Sequence, residues 1–67
     1  MLAQGLDKNG VQLKIGDMIR VIDKYDSYLA IVKELLNTGV NAQQIESISY
    51  IHYVSSSDIT RVSSVDD

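Results

Sequence analysis

A histidine and a group of serines have the side-chain types needed for nucleophilic catalysis. His52 stands three residues after Ser49 and three residues before a serine run at 55–57. A histidine beside a serine hydroxyl can act as a general base and activate the oxygen as a nucleophile. No glycine-rich loop that could form an oxyanion hole accompanies these residues. We therefore predict no catalytic residues and no enzyme activity, with His52 packed in a strand or lying at the surface.

Three aspartates could bring carboxylates to a divalent cation. Asp17, Asp23 and Asp26 surround the first predicted loop, and a divalent cation of the calcium type prefers oxygen ligands. Their spacing does not match a calcium-binding loop, and residues 7–10 contain only a fragment of one. A single histidine and no cysteine also exclude a zinc site built from one chain. We expect these aspartates to form and cap turns, and we predict no metal and no cofactor.

The four tyrosines are the strongest candidates for binding a partner. They stand at positions 25, 28, 50 and 53 and are the only aromatic residues of the chain. Tyrosine is enriched at protein interfaces because it combines apolar area with a polar tip. We predict that Tyr25, Tyr28 and Tyr53 bind a partner. The alternative is that the rings fill the core in place of the absent Trp and Phe.

The elements that position these residues begin with turns and a strand. Asn9-Gly10 is a strong signal for a tight turn between extended segments. Gly16-Asp17 predicts a second turn, with Leu13 and Ile15 facing inward before it. Residues 18–23 are rich in β-branched side chains, which suit a half-buried strand.

The middle of the chain leaves the choice between strand and helix open. Residues 28–36 have apolar side chains at helical spacing, and Gly39 would end such a helix. The β-branched pair Ile31-Val32 favours a strand instead. We prefer the strand because it agrees with the rest of the chain, and the alternative is an α+β fold with a helix at 28–36. Residues 37–41 predict a turn, and residues 42–47 a weak strand or a short helix.

The last third of the chain predicts a strand, a helical turn and a final strand. Residues 48–54 are dense in β-branched and aromatic side chains. In a strand, His52 and Val54 would share one face, while Ile51 and Tyr53 would share the other. Residues 55–59 have the hydroxyls and the aspartate of a capped single turn. Residues 60–62 are short enough to form a closing edge strand.

Two segments resemble the SH3-like small β-barrel, including its KOW type. Lys14-Ile-Gly-Asp-Met-Ile-Arg-Val21 resembles the opening of that class, and Val54-Ser-Ser-Ser-Asp-Ile-Thr-Arg-Val62 resembles its closing helical turn and strand. Together they cover about a quarter of the chain. The resemblance implies a mainly β fold, an SH3-like small barrel of about five strands with one short helical turn. It also implies that the loop with Tyr25 and Tyr28 neighbours Tyr53.

Length and composition predict one small domain. A chain of 67 residues forms a single domain over 1–67, and we expect residues 1–4 and 63–67 to be frayed. A hydrophobic fraction of 45% is that of a folded chain. No apolar run approaches the ~18 residues of a membrane span, and no signal peptide is recognisable. We expect a cytoplasmic protein without membrane contact, which the absence of cysteine fits.

The charge balance narrows the expected partners. Six Lys and Arg stand against nine Asp and Glu, and the net charge of −3 makes nucleic acid an unexpected partner. We predict a non-catalytic protein-interaction module or a small accessory subunit. The alternative is a KOW-like nucleic-acid or ribosome-associated module that uses Arg20, Lys24 and Arg61. Aliphatic surface that a small core leaves over predicts a possible homodimer, with the edge strand 60–62 as one route.

Overall fold

The computed structural model describes residues 4–46 and 51–64. It contains five strands and one 3-10 helix, namely β1 (Met18–Ile22), β2 (Ser27–Leu35), β3 (Gly39–Gln44), β4 (Ile51–Ser55), the 3-10 helix (Ser56–Asp58) and β5 (Ile59–Ser63). The strands form one antiparallel sheet in the order β4-β3-β2-β1-β5. The predicted mainly β fold is confirmed, and so is the single helical turn near the end. The alternative helix at 28–36 is wrong, because β2 runs through this segment.

The sheet is open, since β4 and β5 are its two edges. Hydrogen bonding therefore does not close the described residues into the barrel that the resemblance implies. The 3-10 helix connects the two edge strands along the chain. No helix in residues 4–46 or 51–64 has the length and hydrophobicity needed to cross a membrane.

One face of the sheet carries the core, because side chains alternate between faces along each strand. Ala30 and Val32 are buried in β2, while Ile31 between them is only partly buried. This period of two, with β-branched side chains, explains why residues 28–36 form a strand. We call the core-bearing side the inner face and the opposite side the outer face. The buried hydrophobic residues are Leu13, Ile19, Val21, Ala30, Val32, Val40, Ala42, Val54 and Ile59.

A β-bulge in β2 changes which side chains reach the outer face. The register with β3 shifts between Val32, which pairs with Ala42, and Glu34, which pairs with Asn41. Lys33 is therefore the extra residue of the bulge. The side chain of Asn41 donates a hydrogen bond of 2.7 Å to Glu34 Oε1. The bulge thus places two charged residues in succession, both exposed, in the last third of β2.

The predicted turn at Gly16-Asp17 is confirmed. Gly16 has a φ of +101°, and the buried carboxylate of Asp17 accepts a hydrogen bond of 2.9 Å from the Lys14 backbone N–H. Leu13 is buried as expected. The inward orientation expected for Ile15 is wrong, because this side chain stands at the tip of the turn and is 60% exposed.

The turn expected over 37–41 is shorter than predicted. Within this range only Asn37 and Thr38 lie outside the strands, because β3 begins at Gly39. Val40 and Ala42 are buried on the inner face, and the burial they gain extends the strand into the expected turn. Residues 42–44 belong to β3, so the weak strand is confirmed up to Gln44. Residues 45 and 46 form a turn, and residue 47 lies outside the described residues.

The strand predicted at 48–54 is confirmed over residues 51–54. β4 covers residues 51–55, while residues 47–50 lie outside the described part of the chain. Val54 is buried, whereas Ile51 and Tyr53 are exposed, so the two predicted faces differ in burial. The expected frayed ends lie largely outside the described residues. Gln4 donates a side-chain hydrogen bond of 2.9 Å to Asn37, and Ser63 belongs to β5.

Candidate protein-binding surface

The first turn of the chain is organised by one aspartate. Asp7 Oδ1 accepts backbone hydrogen bonds from Asn9 at 2.8 Å and from Val11 at 2.9 Å. The backbone N–H of Gly10 donates to the carbonyl oxygen of Asp7 at 3.0 Å. The tight turn predicted at Asn9-Gly10 is therefore confirmed, with the Asp7 carboxylate inside it.

This turn covers part of the edge of β5 that does not pair with β1. Lys8 donates its backbone N–H to the carbonyl oxygen of Ile59 at 2.8 Å, and Asp7 Oδ2 accepts from the backbone N–H of Arg61 at 3.3 Å. Burial alone would raise the pKa of Asp7. Three backbone N–H donors and the nearby Arg61 charge together outweigh the burial, so the pKa of Asp7 lies below its usual value.

The edge of β4 presents backbone hydrogen-bonding groups that face away from the sheet. The backbone N–H of Ser56 donates to the carbonyl oxygen of Thr38 at 3.0 Å, which extends the regular register between β3 and β4. Residues alternate in an antiparallel ladder between those that face the partner strand and those that face away. Ile51, Tyr53 and Ser55 are therefore the residues of β4 whose N–H and C=O groups point outward.

The hairpin between β2 and β3 supports the same assignment. The carbonyl oxygen of Gly39 accepts from Leu36, so Gly39 faces β2. Gly39 pairs with Ser55 across the other side of β3. The alternation then places the backbone of Ser55 away from β3, in agreement with the bond of Ser56.

The two edges also differ in charge. β4 consists of Ile, His, Tyr, Val and Ser, and it contains no acidic, lysine or arginine residue. β5 contains Arg61 and contacts the Asp7 carboxylate. Natural sheets protect their edges with charged residues or covering loops, because an uncovered edge pairs with other strands. By this criterion, and among residues 4–46 and 51–64, β5 is protected and β4 is not.

An apolar surface lies next to this uncovered edge. Ile31 of β2, Gln43 of β3 and Ile51 of β4 are aligned across the three strands. Ile51 is 52% exposed, and Tyr53 on the same face of β4 is 50% exposed. Ile45 is also exposed and shares a depression with Ile31. We call Ile31, Ile45, Ile51 and Tyr53 the outer patch.

Two shallow depressions accompany the outer patch. One has a volume of about 250 Å³ and is lined by Ile31, Lys33, Gln43, Gln44 and Ile45. The other has a volume of about 500 Å³ and is lined by Lys33, Glu34, Asn41, Ile51, His52 and Tyr53. Lys33, the residue of the bulge, lies between them and contributes to both. The surface therefore combines apolar side chains with amides, a histidine, one lysine and one glutamate, the mixture of apolar and polar groups found in protein interfaces.

The three tyrosines predicted to bind a partner occupy different places. Tyr25 lies exposed in the turn between β1 and β2, where Lys24 Nζ is 5.2 Å from the centre of its ring. Tyr28 belongs to β2 rather than to the first loop, and it packs against the core from the inner face. Tyr53 lies on the outer face, where its hydroxyl is 2.7 Å from Thr38 Oγ1. Tyr28 and Tyr53 therefore lie on opposite faces of the sheet.

His52 contacts Tyr28 at the margin of the core. The Tyr28 hydroxyl is 2.6 Å from His52 Nε2, and the two ring centres are 5.6 Å apart. Ser55 lies on the other face of β4, and its hydroxyl is 3.1 Å from that of Ser57. Ser49 lies outside the described residues. In the described part of the chain, the geometry thus joins the histidine to a tyrosine and not to the serine run.

The aspartates have the turn-forming roles expected of them. Asp23 Oδ1 accepts backbone hydrogen bonds from Tyr25 at 2.8 Å and from Asp26 at 2.7 Å. Asp26 in turn accepts from the backbone N–H of Ser27. Among residues 4–46 and 51–64, no three His, Cys, Asp or Glu side chains are grouped so that they could hold a metal ion.

The three cations of the nucleic-acid alternative do not share one face. Arg20 stands between the buried residues of β1 and therefore points to the outer face. Arg61 is aligned with Ile19, whose side chain belongs to the inner face. Lys24 lies in the turn after β1 and contacts Tyr25. This arrangement provides no continuous basic surface built from these three residues.

Of the outer patch, sequence reasoning identified Tyr53 as a binding residue but missed Ile31, Ile45 and Ile51, although a signal for two of them exists. Ile31 and Ile51 stand in the opposite phase to the core residues of their strands, so these strands are apolar on both faces. Such a pattern indicates that the second face is also covered or binds something. No family model, curated protein or solved structure matches this chain.

Proposed function

We propose that this chain is a non-catalytic protein-interaction module, or a small accessory subunit of an assembly, and that it binds protein through the outer patch. The observation that carries the proposal is the pair Ile51 and Tyr53, which are half-exposed on the outer face beside an uncovered strand edge. Contiguous exposed apolar surface of this kind marks interaction sites in folded proteins. A cytoplasmic location is part of the proposal.

The SH3-like relationship is also part of this proposal. The order of strands along the chain and the 3-10 helix directly before the last strand support it. Tyr53 belongs to the proposed binding surface. The binding roles predicted for Tyr25 and Tyr28 stay predictions, and Tyr25 is the more accessible of the two.

The proposal can be tested by photo-crosslinking followed by measured affinities. A photoreactive amino acid replaces Tyr53 in one variant and Val62 in another, and the proteins crosslinked in cells are identified. Val62 is the matched control because it is 49% exposed and lies on the other edge strand. Each protein crosslinked only at position 53 is then purified and titrated with the wild-type chain and with its Ile51→Lys and Val62→Lys variants.

We expect Ile51→Lys to weaken binding at least about tenfold, or about 1.4 kcal/mol, and Val62→Lys to leave binding unchanged. Equal affinity of Ile51→Lys and the wild-type chain would contradict the proposed surface. Titration with RNA and DNA at low salt tests the alternative function. Salt-dependent binding tighter than about 10⁻⁶ M would replace the protein-binding proposal by the nucleic-acid one.

A further inference from the structure

The outward-facing groups of β4 are arranged symmetrically about Tyr53. Ile51, Tyr53 and Ser55 direct their N–H and C=O groups away from β3, as the register of β3 and β4 requires. An antiparallel pair of identical strands has a two-fold axis, and the same residues on both strands form its hydrogen bonds. An edge with outward-facing groups at positions 51, 53 and 55 meets this condition when the axis passes beside position 53.

We propose that a second copy of this chain binds along the edge of β4, antiparallel to it, and that the two sheets join into one of ten strands. Tyr53 then lies opposite Tyr53 of the second copy, and Ile51 lies opposite its Ser55. This inference rests on the proposed function, because it names a second copy of the chain as a partner that binds beside the outer patch.

The side chains along this edge favour an identical partner. β4 contains no Asp, Glu, Lys or Arg, so two copies bring no like charges face to face along the strand. Ile51 and Tyr53 both lie on the outer face, where they are about half exposed. Pairing therefore brings the apolar side chains of both copies together and makes one continuous surface from two outer patches.

The opposite edge does not offer the same opportunity. Along β5, the backbone groups of Ile59 and Arg61 already bond to Lys8 and to the Asp7 carboxylate. The homodimer route first expected from residues 60–62 is thus obstructed by the Asp7 turn. A chain of 7.4 kDa also belongs to the size class in which association commonly supplements a small core.

The oligomeric state is the first test, using the full chain. Sedimentation equilibrium at about 100 µM should give a mass of about twice the 7.4 kDa of one chain. Tyr53→Lys places two lysines at the two-fold axis and should weaken self-association at least tenfold. Val62→Lys, which alters an equally exposed residue of β5, should leave the dimer intact.

A second variant separates the edge from the local contacts of Tyr53. Tyr53→Phe removes the hydroxyl that contacts Thr38 but retains the ring, so this variant should remain dimeric. Amide hydrogen exchange of β1 and β2 shows whether each variant keeps the fold. Dimers that survive Tyr53→Lys in a folded chain, or that are lost in Val62→Lys, would overturn the proposal.

Crosslinking tests the position of the axis directly. The chain has no cysteine, so Tyr53→Cys introduces a single thiol in each copy. Oxidised glutathione accepts the two electrons and two protons released when two such thiols form a disulfide across the axis. Opposite residues of an antiparallel pair lie within the Cα separation that a disulfide requires. We expect a covalent dimer from Tyr53→Cys and markedly less from the control Tyr25→Cys.

These outcomes differ from failure of the proposed function. The dimer is contradicted if the wild-type chain stays at 7.4 kDa and the Tyr53→Cys variant forms no disulfide-linked dimer. The cellular crosslinking at position 53 and the affinity of Ile51→Lys for another protein would still decide whether the outer patch binds a partner. If the chain dimerises but no other protein crosslinks at position 53 in cells, the outer patch serves only self-association.

Discussion

The carboxylate of Asp7 accepts a hydrogen bond of 3.3 Å from the backbone N–H of Arg61, which lies 54 positions later in the chain. This bond attaches the first turn of the chain to the last strand. Lys8 adds a second attachment through the carbonyl oxygen of Ile59. The two bonds use backbone groups on the free side of β5, and they make this edge different from the edge of β4.

Replacing Asp7 should destabilise the whole domain. Asp7→Ala removes three hydrogen bonds to backbone donors, from Asn9, Val11 and Arg61. Bonds to a buried carboxylate are stronger than neutral ones, so we expect the free energy of unfolding to fall by about 2–3 kcal/mol. Urea denaturation measures the change, with Glu46→Gln as the control at an exposed carboxylate. A change under about 0.5 kcal/mol would show that the turn contributes little to stability.

The same aspartate should make stability depend on acid pH. The folded-state pKa of Asp7 lies below its usual value of 3.8, so its stabilising contribution is complete above that value and is lost as pH falls through the folded-state pKa. We expect Asp7→Asn to be less sensitive to acid than the wild-type chain in the range from about pH 5 downward. Thermal unfolding at a series of pH values tests this. Parallel pH profiles for both chains would contradict the lowered pKa.

Gly39 should tolerate a side chain less well than Gly10. A Cβ atom at this position would meet the carbonyl oxygen of Val54, which belongs to the backbone of β4 and cannot rotate away. We expect Gly39→Ala to lower the free energy of unfolding by about 2 kcal/mol or more. Gly10→Ala is the matched control. Gly10 has a φ of +81° with open space around it, so only the backbone strain of about 1 kcal/mol should appear.

Equal losses in these two glycine variants would show that crowding at β4 is unimportant. The amide exchange of β4 provides a second readout. In Gly39→Ala, amide exchange should accelerate more in β4 than in β1, because the clash affects only the pairing of β3 with β4.

The contact between Tyr28 and His52 should be measurable by removing one hydroxyl. Tyr28→Phe removes the bond of 2.6 Å to His52 Nε2 and retains the ring, so we expect a loss of about 0.5–1.5 kcal/mol. Tyr28→Ala also removes the packing of the ring against the core, and the expected loss rises to about 3 kcal/mol. The NMR signals of the His52 ring should shift in Tyr28→Phe. Unchanged signals would show that the bond is not formed in solution.

Asp17 and Asp23 offer a comparison of buried and exposed turn aspartates. Asp17 is fully buried and accepts from the backbone of Lys14, whereas Asp23 accepts two bonds in an exposed turn. We expect Asp17→Ala to cost about 2–3 kcal/mol and Asp23→Ala about 1 kcal/mol. Urea denaturation of both variants gives the comparison. A larger loss in Asp23→Ala would contradict the importance of burial.

Most of the secondary structure could be predicted from local patterns. β-branched side chains indicated a strand at 18–23, which the structure has over Met18–Ile22, and Gly16-Asp17 indicated the turn before it. The extent of the turn at 37–41 could not be predicted, because the burial of Val40 depends on strands that are distant in sequence. The inward orientation of Ile15 failed for a related reason. Its alternation with Leu13 ends where the turn begins, and only the path of the chain shows this.

The sequence by itself determined that this protein is a small, acidic, mainly β domain with turns stabilised by aspartates, because turn residues and side-chain alternation act over a few neighbouring positions. Only the tertiary structure decided which strands are the edges and which edge is covered. It also separated Tyr28 from Tyr53, on opposite faces, and aligned Ile31 with Ile51. These relationships join residues that are far apart in the chain, and they depend on the order and register in which the strands pair.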